Sequence, residues 1–411
     1  MKKIFLVSCA KSKKTEASKG EELYVSTLFQ EAKKFALNGG DIWFILSAKY
    51  GLLNPQTVVD PYEKTLKKMT SEEKKTWAMS VSKSLKPILK KDDQIIFLAG
   101  KDYRKDLEDE FRKEGIRVTA PLRSMGLGKQ MGWLIKVNRS QERMKDLDYF
   151  YNLLEELIAG KIFHLMKNCD GKLDWPKRGV YFFFSPEETR ALYPEVSRVV
   201  RVGTHSVSKG SKTTLWDRLK THKGSEDGSG NHRASVFRLH VGQALINKEK
   251  LNKKYPNWGA GETANNKIRI SERNLEEKVS AEIGRMSLTY LRIEDEPGSS
   301  SDRAYIERNA IALLSGPDGP IDVQTSKWLG NNSAKNAIKE SGLWNVRHVD
   351  EFYDKGFLGV MKEYVNGTLG KTSVPKTSIA PKGWENRIIR GTEINQLAFF
   401  SMGDLNESKR H

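Results

Sequence analysis

The chain has 411 residues and carries 70 Lys and Arg against 52 Asp and Glu, a net charge of +18 at neutral pH. This length predicts two or three domains, each long enough to bury a core. The basic excess favours a polyanionic partner, with nucleic acid as the first candidate and an acidic membrane surface as the second. The only cysteines, Cys9 and Cys169, exclude a disulfide framework and a cysteine-rich zinc site.

Apolar segments in the chain are too short to span a bilayer. The N-terminus, MKKIFLVSCAKSK, is basic, but its apolar run is too short and returns to lysine too early for a signal peptide. We therefore expect a cytoplasmic protein that does not enter a membrane. The low cysteine content fits a reducing compartment.

Residues 1–140 alternate strand-like and helix-like segments. Buried strands are predicted at KIFLVSC, DIWFILSA, DQIIFLAG and IRVTAPL, with amphipathic helices between them. A capping box from Thr70 to Glu73 opens the helix before the third strand. This alternation predicts an α/β domain with a mainly parallel sheet.

A polar loop follows each of these four strands. The carboxyl ends of parallel strands meet at one edge of a sheet, where ligands bind. Lysines and small residues there suit a phosphate, and tyrosines offer surfaces for stacking on a base. The predicted base- or nucleotide-binding residues are Cys9, Lys11, Ser12, Lys13, Ser47, Lys49, Tyr50, Asp60, Tyr62, Tyr103 and Arg104.

The motifs SCAKSK, LSAKYGLL, DPY and LAG followed by a tyrosine resemble a bacterial domain family of uncharacterised function. The resemblance covers this whole half and implies a fold distantly like the uracil-DNA-glycosylase type, with base or nucleotide recognition. If the domain also cleaves a glycosidic bond, Asp60 is the candidate carboxylate. The alternatives are recognition without catalysis and a structural domain with solvated lysines, in which Cys9 is a small buried hydrophobe.

Residues 141–172 are predicted to connect two domains. The segment ERMKDLDYFYNLLEELI has apolar residues at helical spacing and ends near Gly160, and a turn-rich loop follows it. The second domain is placed at 173–370. A basic tail occupies 371–411, part of which we expect to be loosely packed or to contact nucleic acid, with short apolar pieces at IIRG and LAFF.

Two short runs in the second domain, GVYFFF and SRVVRVG, predict a β-hairpin. Each is too short for a helix and rich in β-branched and aromatic residues, and a polar loop containing proline separates them. A helix is predicted from near Thr214, with Arg218 and His222 on its polar side, four residues apart. Glu307 lies on a later amphipathic helix in SSSDRAYIERNAIALLS.

In this order the residues resemble the GIY-YIG nuclease superfamily. The matching positions are Gly179, Val180 and Tyr181 for the first motif, Arg201, Val202 and Gly203 for the second, and then Arg218, His222 and Glu307. The sequence departs from the family at Arg201, where tyrosine is usual, and in the long separation between Arg218 and Glu307. The resemblance implies an α+β domain with a small antiparallel sheet flanked by helices.

Hydrolysis of a phosphodiester needs an activated water, neutralisation of charge on the phosphoryl oxygens and help for the leaving oxygen. The resemblance implies that Glu307 holds a divalent ion, that Arg218 clamps the phosphate and that Tyr181 orients or deprotonates water. One protein oxygen with several waters suits Mg²⁺ or Mn²⁺ better than Zn²⁺. Arg201 or His205 is a candidate to replace the missing phenol. The alternative is an ordinary core hairpin with solvated helix charges.

The segment after this helix contains a second candidate phosphate site. Asn231, His232 and Arg233 precede a predicted helix, and the backbone amides there could hold a phosphate together with the arginine; a structural cap is the alternative. The polar segment 251–270 is predicted as an insertion in which Trp258 contacts substrate.

An asparagine often follows the glutamate helix in the resembled family, where it holds phosphate or metal-bound water. Asn345 and Asn332 are both candidates for this role. The alternative is that the tryptophans of this block fasten a C-terminal lobe to the core.

Together these patterns predict a metal-dependent endonuclease with an N-terminal recognition domain. DNA is preferred over RNA by analogy with the superfamily, and the pairing of domains suggests restriction of, or defence against, modified foreign DNA. One alternative is a bifunctional DNA glycosylase that also cuts the strand. Another is a basic DNA-binding protein with a decayed nuclease domain. The oligomeric state is left open.

Overall fold

The computed structural model describes residues 1–387. The chain divides into two compact units, Met1–Arg143 and Met144 onward, which we call the N-terminal and C-terminal units. The predicted tail pieces IIRG and LAFF lie outside the described residues. Within residues 1–387, no helix has the length and apolar character needed to cross a membrane.

The N-terminal unit is built on a five-stranded sheet of order β4-β3-β1-β6-β7. Its elements are β1 (Lys3–Ser8), β2 (Ser18–Lys19), α1 (Gly20–Leu23), α2 (Thr27–Gly39), β3 (Ile42–Ser47), β4 (Gly51–Leu53), β5 (Val58–Val59), α3 (Ser71–Leu85), β6 (Gln94–Leu98), α4 (Lys101–Lys113), β7 (Arg117–Thr119) and the start of α5 (Leu127–Ala159). Strands β3, β1, β6 and β7 are parallel neighbours, and β4 is an antiparallel edge strand. The predicted mainly parallel sheet is confirmed.

Both faces of this sheet are buried. Ile4 and Leu6 face the core formed with α3 and α4, whereas Phe5 and Val7 face the core that includes α2. A strand buried on both faces requires apolar residues at successive positions, which explains why KIFLVS is a continuous apolar run and does not alternate with polar residues.

Helix α5 is longer than the sequence predicted. The segment after β7 was expected to be a polar loop, with a separate helix from residue 141, but one helix runs through Leu127–Ala159 and contains the boundary between the units. Leu134 is completely buried in the core of the N-terminal unit. Burial of Leu134 offsets the free-energy cost of having Gly128 and Gly132 in a helix, which is about 1 kcal/mol for each glycine.

The C-terminal unit is built on a four-stranded antiparallel sheet of order β10-β9-β11-β8. Its elements, after the end of α5, are β8 (His164–Leu165), β9 (Gly179–Thr189), β10 (Ser197–Gly203), α6 (Leu215–Lys223), α7 (Val236–Glu249), α8 (Asn266–Gly284), β11 (Ser287–Arg292), α9 (Asp302–Ser315), α10 (Asn336–Ser341) and α11 (Phe357–Thr368). The predicted hairpin of GVYFFF and SRVVRVG is the β9–β10 pair. The predicted antiparallel sheet flanked by helices is present.

Strand β9 places alternate side chains in two cores. Val180, Phe182 and Phe184 pack in the core formed with α9 and α11. Tyr181 and Phe183 pack in the core formed with α6, α7 and α8. The sheet therefore separates α9, which carries Glu307, from α6, which carries Arg218 and His222.

Candidate active site

The two sequence motifs of the hairpin meet side by side. In the antiparallel register of β9 and β10, Gly203 lies opposite Tyr181. A Cβ atom at Gly203 would lie only 2.3 Å from the Tyr181 hydroxyl oxygen. The glycine of the second motif thus makes room for the tyrosine of the first.

Tyr181 forms a buried hydrogen-bond chain with His222. The Tyr181 hydroxyl lies 2.8 Å from Nε2 of His222, and Nδ1 of His222 lies 2.8 Å from Oγ of Ser235. Both Tyr181 and His222 are completely buried. The sequence predicted that His222 would lie on the polar side of its helix, which is wrong, because the imidazole packs against the rings of Phe183 and Phe237.

The environment of His222 keeps its imidazole neutral. Burial lowers the pKa of His222 well below its ordinary value, and the positive charges of Arg201, Arg218 and Arg238 lower it further. A neutral imidazole has one nitrogen that donates and one that accepts a hydrogen bond. His222 can therefore accept a hydrogen bond from either the Tyr181 hydroxyl or the Ser235 hydroxyl.

Arg218 lies on α6, one helical turn before His222. The helix begins with a capping box between Thr214 and Asp217, in which each residue caps the other's backbone N–H. Arg218 is partly exposed. Its positive charge helps burial to lower the pKa values of His205 and His222, and it opposes the rise that burial causes in the pKa of Glu307.

Glu307 reaches the same end of the hairpin from the opposite face of the sheet. Its Oε1 accepts a hydrogen bond of 3.1 Å from the backbone N–H of Thr204, the residue after Gly203. Burial raises the pKa of Glu307, and the charges of His348, Arg201 and Arg218 and the Thr204 amide oppose that rise. The carboxylate therefore lies in a partly desolvated place surrounded by positive charge.

The single carboxylate of Glu307 suits a divalent ion that keeps most of its water, and the water would shield the ion from the nearby positive side chains. Among residues 1–387 there is no group of three or more His, Cys, Asp and Glu side chains arranged to hold a metal. Zn²⁺ sites usually take three or four protein ligands, whereas Mg²⁺ is commonly held by one or two carboxylates and several waters. With one oxygen bonded to Thr204, Glu307 can offer its other oxygen to such an ion.

Arg201 and His205 both lie in the wall of the site. The Arg201 guanidinium donates to the carbonyl of Trp344 at 2.7 Å and lies over the ring of Phe237. His205 lies with Nε2 3.3 Å from the carbonyl of Lys177, and burial, aided by nearby arginines, lowers its pKa to about 4. His205 is therefore neutral at physiological pH. Arg201 carries positive charge at the position where the resembled superfamily usually has a tyrosine.

Asn345 holds the second motif and does not point a free amide at a ligand. Its Oδ1 accepts from the N–H of Val202 at 3.1 Å, and its Nδ2 donates to the carbonyl of the same residue at 2.8 Å. Both ends of the amide are thus used by the edge of β10. This geometry argues against the predicted contact with phosphate or metal-bound water. The other candidate, Asn332, donates to the carbonyl of Leu329.

The predicted phosphate site at 231–233 is occupied by internal ion pairs. Arg233 donates to both carboxylate oxygens of Glu272, at 2.6 and 3.0 Å, and Nδ1 of the buried His232 lies 2.8 Å from Glu276. Asn231 caps the backbone of Arg233. These carboxylates neutralise the cationic side chain that would attract a phosphate. The arrangement favours the structural cap, the alternative that the sequence left open.

Trp258 does not lie on an exposed insertion. It is 7% exposed, its ring stacks on that of His232, and its indole N–H donates to the carbonyl of Leu239. Its place in the core excludes the predicted substrate contact for this side chain. Residues from Asn266 onward belong to helix α8.

In the N-terminal unit, several predicted residues meet beyond the ends of β1 and β3. The Tyr62 hydroxyl lies 2.7 Å from Oγ of Ser47 and 2.9 Å from the hydroxyl of Tyr24. Next to them, Sγ of Cys9 lies 3.2 Å from the Tyr103 hydroxyl. Burial raises the pKa of Tyr24 to about 12, so this phenol is neutral at physiological pH.

The remaining predicted residues of this unit divide into two sets. Lys13, Lys49 and Tyr50 join the cluster around Tyr62. Arg104 instead pairs with Glu108, and Lys11 and Ser12 are exposed. Asp60 has an exposed side chain and meets the cluster through its backbone carbonyl, which accepts from the Tyr50 hydroxyl at 3.4 Å.

Sequence reasoning missed four residues at these sites, namely Tyr24, Thr204, Ser235 and His348. Ser235 is the N-cap of α7, and Thr204 follows the second motif directly, so local position could have indicated both. Tyr24 and His348 carry no local signal. Tyr24 contacts Tyr62, which is 38 positions away in the chain. His348 lies beside Glu351, three residues later, and Glu351 pairs with Arg308 of the distant helix α9.

Comparison with known proteins gives two matches to family models. Residues 141–370 match the model described as a GIY-YIG domain. Residues 4–136 match a family of unknown function, DUF6884. No curated protein and no solved structure matches the chain. The first match covers more than half of the residues, and the chain therefore belongs to the GIY-YIG family.

Proposed function

We propose that the C-terminal unit is a divalent-metal-dependent nuclease that hydrolyses phosphodiester bonds of nucleic acid, with DNA as the preferred substrate. A GIY-YIG domain points to a nuclease acting on nucleic acid. The observation that carries the proposal is the meeting of Tyr181, Gly203 and Glu307 at one end of the hairpin, although they come from three separate elements. The net charge of +18 supports a polyanionic substrate.

In this proposal Tyr181 and His222 handle a proton. The neutral imidazole of His222 accepts the hydrogen bond of the phenol at Nε2. It takes the phenolic proton only as the phenolic oxygen takes a proton from the attacking water, when the bound phosphate offsets the positive charge of the arginines. Ser235 fixes the ring through Nδ1. Tyr181 is completely buried, so water does not reach its hydroxyl in this structure. The proposal therefore requires that a water comes into contact with the hydroxyl when the substrate binds.

Arg218 and Glu307 act on the phosphate. Arg218, partly exposed beside the buried histidine, neutralises charge that grows on the phosphoryl oxygens in the transition state. Glu307 would hold the divalent ion, which when bound would supply Lewis-acid stabilisation of the leaving oxygen. The Thr204 amide orients the carboxylate through its hydrogen bond to Oε1.

Arg201 or His205 takes the place of the tyrosine usual in the second motif. Arg201 is the stronger candidate, because its positive charge acts on both residues: it helps burial to lower the pKa of His222 and opposes the rise that burial causes in the pKa of Glu307. Activity assays of Arg201→Ala and His205→Ala test this replacement. Wild-type rates in both variants would overturn it.

We further propose that the N-terminal unit recognises a base or nucleotide feature of the substrate. The tyrosines and lysines gathered beyond β1 and β3 support this role. If the recognised feature is a modified base, the protein would restrict modified foreign DNA. Equal cutting of modified and plain DNA would contradict the defence role.

The first experiment compares wild type, Glu307→Gln and Glu296→Gln on plain DNA, modified DNA and RNA, each with Mg²⁺, Mn²⁺ or EDTA. Glu296 is a matched control, because its side chain is 94% exposed in the loop before α9. We expect metal-dependent cutting by wild type and Glu296→Gln and none by Glu307→Gln.

Three outcomes would change the proposal. Cutting by Glu307→Gln at the wild-type rate would remove Glu307 from the mechanism. Salt-sensitive binding without cutting would favour the non-catalytic DNA-binding alternative. Release of free base that survives Glu307→Gln but not Asp60→Ala would indicate the bifunctional glycosylase.

A further inference from the structure

Two lysine ammonium groups converge on one buried tyrosine ring in the N-terminal unit. Nζ of Lys13 lies 4.4 Å from the centroid of the Tyr62 ring, and Nζ of Lys49 lies 5.8 Å from the same centroid. Lys49 also lies 4.8 Å from the ring centroid of Tyr50. The two lysines come from the loops after β1 and β3, which end at the same edge of the sheet because these strands are parallel.

Neither of these two lysines is paired with a carboxylate among the described residues. Within the described part of the chain, neither Lys13 nor Lys49 forms a salt bridge, whereas Lys14 pairs with Glu22 at 3.2 Å and Lys33 with Glu21 at 3.3 Å. Lys13 donates to the backbone carbonyl of Lys11 at 3.2 Å, but a neutral carbonyl does not cancel its charge. Two like charges without a counter-ion repel each other when they lie near one ring. An anion bound between them would remove that repulsion.

The ring beneath the lysines is a fixed platform. Tyr62 is 8% exposed, and its hydroxyl is held at 2.7 Å by Ser47 and at 2.9 Å by Tyr24. Ser47 is itself completely buried, and its carbonyl accepts from the Trp77 indole N–H at 2.9 Å. The ring over which the two lysines lie is therefore held in place before a ligand binds, which lowers the ordering cost of binding.

We propose that Lys13 and Lys49 bind the phosphate group of a nucleotide above Tyr62, with the half-buried ring of Tyr50 as the stacking surface for its base. This inference rests on the proposed recognition role of the N-terminal unit and names the group recognised. Ammonium groups act as point charges and suit a compact, doubly charged phosphate, whereas planar carboxylates are better matched by the fork of arginine. The arginine predicted for this site, Arg104, is instead paired with Glu108.

The test measures binding by calorimetry to the full chain in EDTA, which prevents cutting. The probes are deoxyadenosine, deoxyadenosine 5′-monophosphate, and a short single-stranded DNA with and without a 5′-phosphate. The variant is Lys13→Ala/Lys49→Ala. The matched control, Lys90→Ala/Lys91→Ala, removes the same charge from exposed lysines before β6, at the opposite edge of the parallel sheet.

We expect the double variant to bind the phosphorylated probes at least about tenfold more weakly than wild type, and the nucleoside within about twofold. The control should match wild type. If the double variant loses affinity only for the mononucleotide, the ligand is a free nucleotide. If it also loses affinity for the 5′-phosphorylated DNA, the ligand is the end of a nucleic acid. Both outcomes support the proposal.

Equal binding of phosphorylated probes by wild type and double variant would overturn the proposal, and so would an equal loss in the control. Lys13→Gln/Lys49→Gln repeats the test if the alanine variant fails to fold. Failure here is distinct from failure of the nuclease proposal, because the latter appears as cutting by Glu307→Gln and does not depend on either lysine.

Discussion

The hydroxyl oxygen of Tyr181 lies 2.8 Å from Nε2 of His222, and neither side chain has any exposed surface. Burial and three nearby arginines hold the pKa of His222 well below its ordinary value, so the imidazole is neutral where it meets the phenol. A neutral acceptor beside a buried hydroxyl is the arrangement needed for the two residues to move one proton together.

Because they share one proton, Tyr181→Phe and His222→Gln should each lower the cleavage rate by about 10²–10⁴-fold, the range for general acid–base catalysis. The double variant should lose little more than either single variant, because residues that act as a unit are not additive. Single-turnover cleavage measures these rates, with whichever nucleic acid the wild type cuts in the metal-dependent assay described above.

Tyr290→Phe is the control for the Tyr181 variant. Tyr290 lies directly opposite Tyr181 on β11, and its hydroxyl contacts only the carbonyl of Asp174 at 3.4 Å among the described residues. We expect its rate to stay near wild type. If the fold-losses of Tyr181→Phe and His222→Gln multiplied in the double variant, the proposal that the two residues share one proton would be wrong.

Gly203→Ala should separate Tyr181 from its partner. The new Cβ would lie 2.3 Å from the Tyr181 hydroxyl oxygen, so the ring must move. We expect a cost of about 1–3 kcal/mol in the free energy of unfolding, typical of overpacking, together with loss of cleavage. Urea unfolding and cleavage assays measure the two effects.

Gly359→Ala is the matched control for Gly203→Ala. Gly359 is exposed on α11, and a Cβ there would meet nothing within 4 Å. Since alanine is the better helix former, this variant should be more stable than wild type by up to about 1 kcal/mol, with unchanged cleavage. Full activity in Gly203→Ala would show that the tyrosine need not stay against the glycine.

Arg218→Ala should reduce cleavage by about 10²–10³-fold, the usual cost of removing one transition-state charge stabiliser. Arg218→Lys should recover part of the rate. Lys220→Ala, an exposed cation on the same helix, should change the rate by less than about threefold if general electrostatic attraction is a minor part of the effect. Equal losses in Arg218→Ala and Lys220→Ala would assign both to non-specific charge.

Acid should destabilise the C-terminal unit through its buried histidines. Burial, aided by the charges of Arg201 and Lys335, lowers the pKa of His240 to about 4. Between its ordinary value of 6.5 and about 4, the unfolded chain holds more protons at this residue than the folded chain. The free energy of unfolding therefore falls as the pH falls through that window, by up to about 1.4 kcal/mol per pH unit for each such histidine.

His240→Gln removes this proton uptake. Urea unfolding at about pH 7, 6 and 5 should show a shallower loss of stability in the variant than in wild type, by about 1 kcal/mol per pH unit over the lower part of the range. Comparing the two proteins cancels the contribution of buried carboxylates with raised pKa, such as Glu307. Parallel pH dependences would contradict the proposed protonation of His240 on unfolding.

Local patterns predicted most of the elements. The capping box from Thr70 to Glu73 is present at the start of α3, and the apolar runs form the expected parallel sheet and hairpin. The local sequence did not predict the first part of α5. Gly128 and Gly132 lower the helix propensity there, and nothing nearby in the sequence indicated that burial of Leu134 would extend the helix. Packing against a distant core overrode the local preference.

The order of residues along the chain determined the hairpin, the helices of Arg218 and Glu307 and the family to which the chain belongs, because periodicity and motif order are properties of neighbouring positions. Only the tertiary structure decided which polar groups have partners. His222 meets Tyr181 across 41 positions, Asn345 meets Val202 across 143, and Arg233 is neutralised by Glu272 across 39. Burial removes water from these groups and makes each take a partner, and which partner is near depends on the packing of distant elements.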